Sequence, residues 1–162
     1  MKHLKKMTFG LLVALIGITL FSCDKDDHVV EDKLTPSEIL AHTPWVTSNA
    51  KNNKGENVAL SDANVSNFVG YAYFKTNGTF TMFNLDDSPK MQGDWSVPLD
   101  GKTRTIVAKN DAGMVLFTRV VDITVLTKQE FTYRIYPNNN DKTLFFDIIH
   151  TPTNHKEPSA KK

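Results

Sequence analysis

The chain has one cysteine, Cys23, among its 162 residues. A single cysteine cannot close an intramolecular disulfide and cannot form a CxxC pair for redox chemistry or a thiolate zinc site. The chain also contains no Gly-rich phosphate loop and no nucleophile-elbow motif. Disulfide-stapled folds, dithiol redox proteins, and the hydrolases and nucleotide-binding proteins that use these motifs are therefore excluded.

The first residues have the pattern of a lipoprotein signal peptide. Three lysines precede an apolar run at residues 7–20, which is shorter than the ~20 residues that a helix needs to span a bilayer. Small Ser22 comes directly before Cys23, as expected at a signal-peptidase site. The sequence predicts a signal peptide over residues 1–22 and lipidation of Cys23; the alternative is an uncleaved membrane anchor.

Lipidation of Cys23 would attach the protein to a membrane. A single acyl chain binds membranes only marginally, whereas two or more give a stable anchor, so we expect the membrane to be a permanent partner. Cleavage removes three lysines and no acidic residue, which leaves the mature chain slightly acidic. Such a balance provides no basic field for nucleic acid, and none is expected as a partner.

The stretch at residues 23–34 is rich in charge. It is too polar to bury apolar area, which favours an unstructured tether. Lys25, Asp26 and Asp27 also resemble the export signal of Bacteroidota surface lipoproteins, which carries acidic residues just after the lipidated cysteine. That resemblance implies an outer-membrane protein that faces the outside of the cell. The plain tether and the export signal both remain open.

Residues 35–152 predict one all-β domain. A capping box at Thr35–Glu38 predicts a short helix over residues 36–42. About eight alternating segments follow, separated by turn signals such as Asn77-Gly78, the strongest short-range sign of a hairpin. Short connections favour an antiparallel up-and-down barrel, whose interior is either packed or holds one small ligand. Residues 153–162 are predicted to be a polar tail.

Several local patterns, taken in order, resemble a known class. Trp45 opens the first strand, an aromatic hairpin spans residues 74–80, and Gly93-Asp94-Trp95-Ser96-Val97 is followed by Asp100-Gly101-Lys102. They resemble the lipocalin-like (calycin-like) domains of bacterial lipoproteins, and more narrowly an uncharacterised family of that class, over about residues 34–152. The resemblance implies a small β-barrel in the cell envelope and no assigned activity. Lipocalins proper carry Gly-x-Trp in the first strand, which this chain lacks at Trp45.

Four aromatic residues are candidates for a ligand pocket at one barrel mouth: Tyr71, Tyr73, Phe80 and Trp95. Pockets for small ligands are lined mainly by apolar and aromatic side chains, but aromatic residues also dominate ordinary cores. The first hypothesis is a module that binds a small apolar or amphipathic ligand. The alternative is a structural or interaction subunit of an envelope complex, with a filled barrel and no ligand.

No metal or cofactor site is predicted. His42, His150 and His155 would cluster only if the end of the helix met the last strand, and nothing in their spacing fixes them on one face. Zinc requires three or four ligands in tetrahedral arrangement. Surface histidines are therefore the favoured interpretation.

No catalytic residue is predicted either, and the chain is not expected to be an enzyme. A hydrolase would use Asp94 and Asp147 as a general acid and base, which requires two carboxylates in one cleft. Asp147 is more readily explained as the partner of Arg134 or Arg119, because opposite charges pair across neighbouring strands.

Overall fold

A computed structural model describes residues 33–159. The predictions for Cys23, Lys25, Asp26, Asp27 and the signal peptide lie outside the described residues. The described chain forms one short α-helix, one turn of 3-10 helix and eight strands. These are α1 (Pro36–Ala41), β1 (Trp45–Asn52), η1 (Ser66–Phe68), β2 (Tyr71–Phe74), β3 (Thr79–Phe83), β4 (Pro89–Ser96), β5 (Thr103–Lys109), β6 (Val115–Leu126), β7 (Phe131–Ile135) and β8 (Phe146–Pro152).

The eight strands form a closed barrel. Each strand pairs with the next along the chain, and β8 returns to pair antiparallel with β1. The closing register runs from Trp45↔Pro152 to Asn52↔Phe146. Closure pairs both edges of the sheet and so removes a template for aggregation. The predicted eight-stranded antiparallel barrel with a short N-terminal helix is confirmed.

Helix α1 covers one end of this barrel. Its capping box is present, with Thr35 N–H donating to Glu38 Oε2 at 2.7 Å and Glu38 N–H donating to Thr35 Oγ1 at 3.3 Å. Leu40 is fully buried, and its carbonyl accepts a hydrogen bond from Trp45 Nε1 at 2.9 Å. Ser37 Oγ donates to the carbonyl of Val97 at 3.4 Å. We call the end of the barrel that α1 covers the closed end.

Aromatic rings fill the closed end. Trp45 meets Phe131 edge-on at 5.9 Å between ring centroids, and Phe74 meets Trp95 in the same way at 5.1 Å. Trp95 Nε1 donates to the carbonyl of Lys75 at 3.0 Å. Buried aromatic pairs contribute large apolar area with specific edge-to-face geometry, so this half of the barrel is a packed core.

The opposite end, which we call the open end, is built differently. Strand β6 begins at Val115, but its pairing with β7 runs only from Asp122↔Arg134 to Leu126↔Phe131. Over the rest of its length β6 pairs with β5, as far as Lys109↔Val115. The barrel wall is therefore split at this end, between the first half of β6 and the end of β7.

Candidate functional site

The structure places two of the predicted pocket residues on the outside of the barrel. Trp45 is paired with Ala72 across β1 and β2, and both are buried inside. Because side chains alternate along a strand, Tyr71 and Tyr73 point outward. This corrects the expectation that they line the interior.

Phe80 and Trp95 do face inward, but they belong to the closed-end core. Phe80 is 1% exposed and Trp95 is 8% exposed. Both lie in the aromatic packing around Phe74, at 6.3 Å and 5.1 Å between ring centroids. They therefore occupy ordinary core positions, which is the alternative that the sequence left open.

The outward tyrosines hold the C-terminal segment against the barrel. The ring of His155 stacks on Tyr71 at 3.8 Å, its Nδ1 lies 2.6 Å from Tyr73 Oη, and its Nε2 lies 3.2 Å from Asp87 Oδ1. Burial, followed by the negative charges of Asp87 and Glu157, raises the pKa of Tyr73 to about 12. The phenol therefore stays protonated, and the cluster is a clamp rather than a nucleophile.

The three histidines considered for metal binding lie in separate places. His42 follows α1, His155 lies on the outer face, and His150 is inside the barrel at 1% exposure. Within residues 33–159, no group of three or more His, Cys, Asp or Glu side chains is arranged to hold a metal ion.

His150 is a neutral part of the interior. Burial, followed by the nearby positive charge of Arg104, lowers its pKa to about 3. Its Nδ1 lies 3.3 Å from the carbonyl of Phe131, and its Nε2 lies 3.1 Å from Thr47 Oγ1. Since a carbonyl only accepts, Nδ1 carries the proton and Nε2 accepts from the hydroxyl.

The two candidate carboxylates are engaged in separate ion pairs on the outer face. Asp94 on β4 pairs with Lys109 on β5. Asp147 on β8 accepts two hydrogen bonds from Arg134, at 2.8 Å and 2.9 Å, and Arg134 is one of the two partners that the sequence left open. This bond is the main cause that raises the pKa of Arg134. The two acids lie on strands that are not neighbours in the barrel, so the structure does not bring them together.

A cleft of about 460 Å³ opens where the barrel wall is split. Its volume is within the range of about 300–1,000 Å³ typical of small-ligand sites. Its wall combines apolar and charged side chains. The apolar part includes Phe68, Val121, Ile135 and Tyr136, and the charged part consists of Arg119, Asp122, Arg134 and Lys142.

Arg119 lies over the apolar part of this cleft. It is on the inner face of β6, opposite Ile106 of β5. Its guanidinium carbon is 5.1 Å from the ring of Phe68 and 5.0 Å from the ring of Phe117. Cation–π contacts at these distances hold the side chain in place and leave its N–H donors for other partners.

A second arginine, Arg104, lies inside the barrel near the cleft. It is opposite Val121, which lines the cleft, and it is only 3% exposed. Its guanidinium carbon is 4.5 Å from the ring of Tyr133, 5.3 Å from Phe131 and 5.6 Å from Phe74. Its Nε is buried without a hydrogen-bond partner.

The surroundings of Arg104 compensate its charge incompletely. Burial lowers the pKa of Arg104 and the like charge of Arg119 acts in the same direction, whereas the neighbouring phenol of Tyr133 acts against them. In the part of the chain that the structure describes, the four ion pairs do not include Arg104. Burying one ion costs several kcal/mol, whereas one cation–π contact returns about 0.5–2 kcal/mol. An anion beside the guanidinium would supply the compensating negative charge that no carboxylate among the described residues provides.

Sequence reasoning missed Arg104, although a signal for it exists. In β5 the residues Arg104, Ile106 and Ala108 alternate with Thr103, Thr105, Val107 and Lys109, and the first set is buried. The alternation alone places the arginine on the same face as the isoleucine and the alanine.

The fold and the cleft define a class: a small antiparallel β-barrel, filled at one end, with an amphipathic cleft at the other. The chain belongs to the family described as a domain of unknown function, DUF4822, whose sequence model matches residues 37–160. The prediction of an uncharacterised domain family is thereby confirmed.

A crystal structure of a lipocalin-like protein from Bacteroides uniformis ATCC 8492 is similar, with a TM-score of 0.48 and 13% sequence identity, over 71% of this chain and 99% of that chain. No curated protein matches the sequence.

Among residues 33–159, no helix has both the length and the apolar character needed to cross a membrane.

Proposed function

We propose that the protein is a lipid-anchored lipoprotein of the cell envelope whose barrel binds a small amphipathic ligand in the cleft at its open end. The observation that carries the binding function is the cleft itself, about 460 Å³ in volume and lined by both apolar and charged side chains. Trp45, Phe80 and Phe131 fill the barrel interior at the closed end. A smaller cavity of about 350 Å³ lies beside α1, so the larger cleft at the open end is the favoured position for a ligand.

The envelope location is supported by the sequence. The basic start, the apolar run at residues 7–20 and the Ser22-Cys23 pair are the pattern of a lipidated, exported chain. Lys25, Asp26 and Asp27 support transfer to the outer surface. The barrel would then work outside the cytoplasm, attached through the lipid on Cys23.

Ligand binding is tested on the lipid-free mature chain with the neutral fluorescent dye Nile red. We expect dye fluorescence to rise on binding, and mass spectrometry under native conditions to detect a co-purified ligand when the protein comes from its own host. Val121→Trp, which fills the cleft, should abolish both signals. Val125→Trp, the same change on the same strand outside the cleft lining, should preserve them. Dye binding that survives Val121→Trp would contradict the proposal.

The anchor is tested separately. Cys23→Ala should prevent acylation and give either uncleaved or released protein, detected by membrane fractionation. Processed protein that stays on the membrane would contradict lipidation. Replacing Lys25, Asp26 and Asp27 with alanines should reduce the cleavage of the protein by protease added to intact cells. Unchanged cleavage would leave these residues as a tether only.

A second candidate function, an interaction subunit of an envelope complex, is favoured by one observation. The β5–β6 hairpin exposes four consecutive apolar side chains, Met114, Val115, Leu116 and Phe117, at 63%, 59%, 62% and 37%. Contiguous exposed apolar surface often marks an interaction site. Leu116→Ser should then abolish cross-linking to a partner in intact cells and leave dye binding unchanged. The reverse result would favour the ligand-binding function alone.

A further inference from the structure

We propose that the ligand of this cleft is an anion, a carboxylate or phosphate head group on an apolar tail, and that the head group lies between Arg119 and Arg104. This inference rests on the proposed function, because it names the chemistry of the ligand that the cleft takes. It is carried by the placement of these two arginines and by the lack of a carboxylate partner for either among the described residues.

The charges around the cleft are unbalanced in favour of cations. Arg119, Arg134 and Lys142 line it, against one carboxylate, Asp122. Arg134 is already paired with Asp147 on the outer face. The positive charge available to a ligand in the cleft lining therefore comes from Arg119 and Lys142, and Arg104 adds a further cation on the interior side.

One hydrogen-bond donor of Arg104 has no partner among the described residues. Its Nε is buried and unpartnered, and its guanidinium lies against Tyr133. The ring of Tyr133 in turn meets the ring of Phe68 edge-on at 6.4 Å, and Phe68 lines the cleft. A head group that enters past Phe68 would thus arrive at a guanidinium whose Nε–H has no partner among the described residues.

A guanidinium selects for anions by geometry as well as by charge. Its planar fork donates two parallel hydrogen bonds to a carboxylate or a phosphate. A neutral hydroxyl offers one oxygen and gains little from two cations. The apolar side chains of Val121, Ile135 and Phe68 line the cleft and can hold the tail, because removing its apolar surface from water is favourable.

The test compares three probes with the same tail: sodium decanoate, decanol and decyltrimethylammonium. Dissociation constants are measured by calorimetry on the mature lipid-free chain. We expect decanoate to bind at least tenfold more tightly than decanol, and decyltrimethylammonium to bind most weakly. Decyl phosphate and inorganic phosphate form two further arms. Tight binding of decyl phosphate with weak binding of inorganic phosphate would support a ligand that carries an apolar tail. Equal affinities would indicate a site for a free anion and would contradict the proposed tail.

Variants then assign the preference to residues. Arg104→Met and Arg119→Gln should each reduce the preference for decanoate over decanol at least tenfold, and Lys109→Gln, which removes a charge on the outer face, should preserve it. If Arg104→Met does not fold, Arg104→Lys replaces it, and loss of the two-pronged fork should still weaken decanoate binding selectively.

The outcomes separate this inference from the function on which it rests. Equal binding of decanoate and decanol would overturn the assignment of an anionic head group and would leave the cleft as a ligand site. A preference that survives in both arginine variants would also overturn it. Failure of all the probes to bind would contradict the proposed function itself.

Discussion

The two ends of the barrel differ in how their interior is filled. At the closed end, Leu40 of α1 lies over a core that includes Trp45, Phe80 and Phe131, and all four side chains are at most 1% exposed. At the open end, β6 extends past β7, and the charged side chain of Arg119 lies inside against the rings of Phe68 and Phe117. The comparison indicates that stability is concentrated at one end, which leaves the other end free to bind.

The largest effect is expected in the closed-end core. Trp45→Ala should lower the free energy of unfolding by about 3–5 kcal/mol, because it leaves a cavity among buried rings and removes the bond from Trp45 Nε1 to Leu40 O. Urea denaturation measures this loss. A loss below about 1 kcal/mol would mean that the closed end is not the main source of stability.

Arg104→Met is expected to change the free energy of unfolding in the opposite direction to Trp45→Ala. Because Arg104 is buried without a carboxylate partner among the described residues, we expect the ligand-free variant to be as stable as the parent protein or more stable, by up to about 4 kcal/mol. The same denaturation experiment measures the change. A marked loss of stability would show that the aromatic rings around Arg104 satisfy its charge, and that the interior at this point is a structural core.

The third prediction concerns pH and His150. Its pKa falls from 6.5 to about 3 in the folded protein, so the unfolded chain binds the proton more readily. The stability that the neutral side chain contributes is complete above pH 6.5 and is lost as the pH falls toward about 3. Between about pH 7.5 and about pH 5 the loss is about 2 kcal/mol.

Thermal and urea denaturation at the two pH values measure this loss. His150→Gln should remove it, because the amide can replace both hydrogen bonds without a titrating group. His155→Gln, on the outer face, serves as the matched control and should retain it. An unchanged pH dependence in His150→Gln would contradict the assignment to the interior histidine.

The smallest effect is expected at the exposed hairpin of the open end. Leu116 is 62% exposed, so Leu116→Ser should change the free energy of unfolding by less than about 0.5 kcal/mol. A loss above about 1 kcal/mol would mean that the hairpin takes part in the core and would weaken the contrast between the two ends.

The sequence predicted the fold well because the signals for it are local. The capping box at Thr35–Glu38, the hairpin at Asn77-Gly78 and the alternation along each strand appear in the structure where they were expected. The pair of Arg134 with Asp147 follows from the same alternation and from charge. Each of these features depends on residues that are close in sequence or on neighbouring strands.

The candidate site was predicted poorly because the face of a strand depends on distant partners. Tyr71 and Tyr73 share a face, but β2 has aromatic side chains on both faces, and only the pairing of Ala72 with Trp45 decides which one is inside. Arg104 alternates with inward residues, yet charged side chains are rarely buried. The cleft itself arises from the different lengths of β6 and β7, which no local pattern encodes.

The most direct measurement is the site at which decanoate perturbs the amide resonances of the mature chain in solution. Binding at the open end predicts chemical-shift changes concentrated at Phe68, Arg119, Val121 and Ile135, with Trp45 and Phe80 unchanged. Changes centred on the closed end, or the absence of any change at saturating decanoate, would contradict the account.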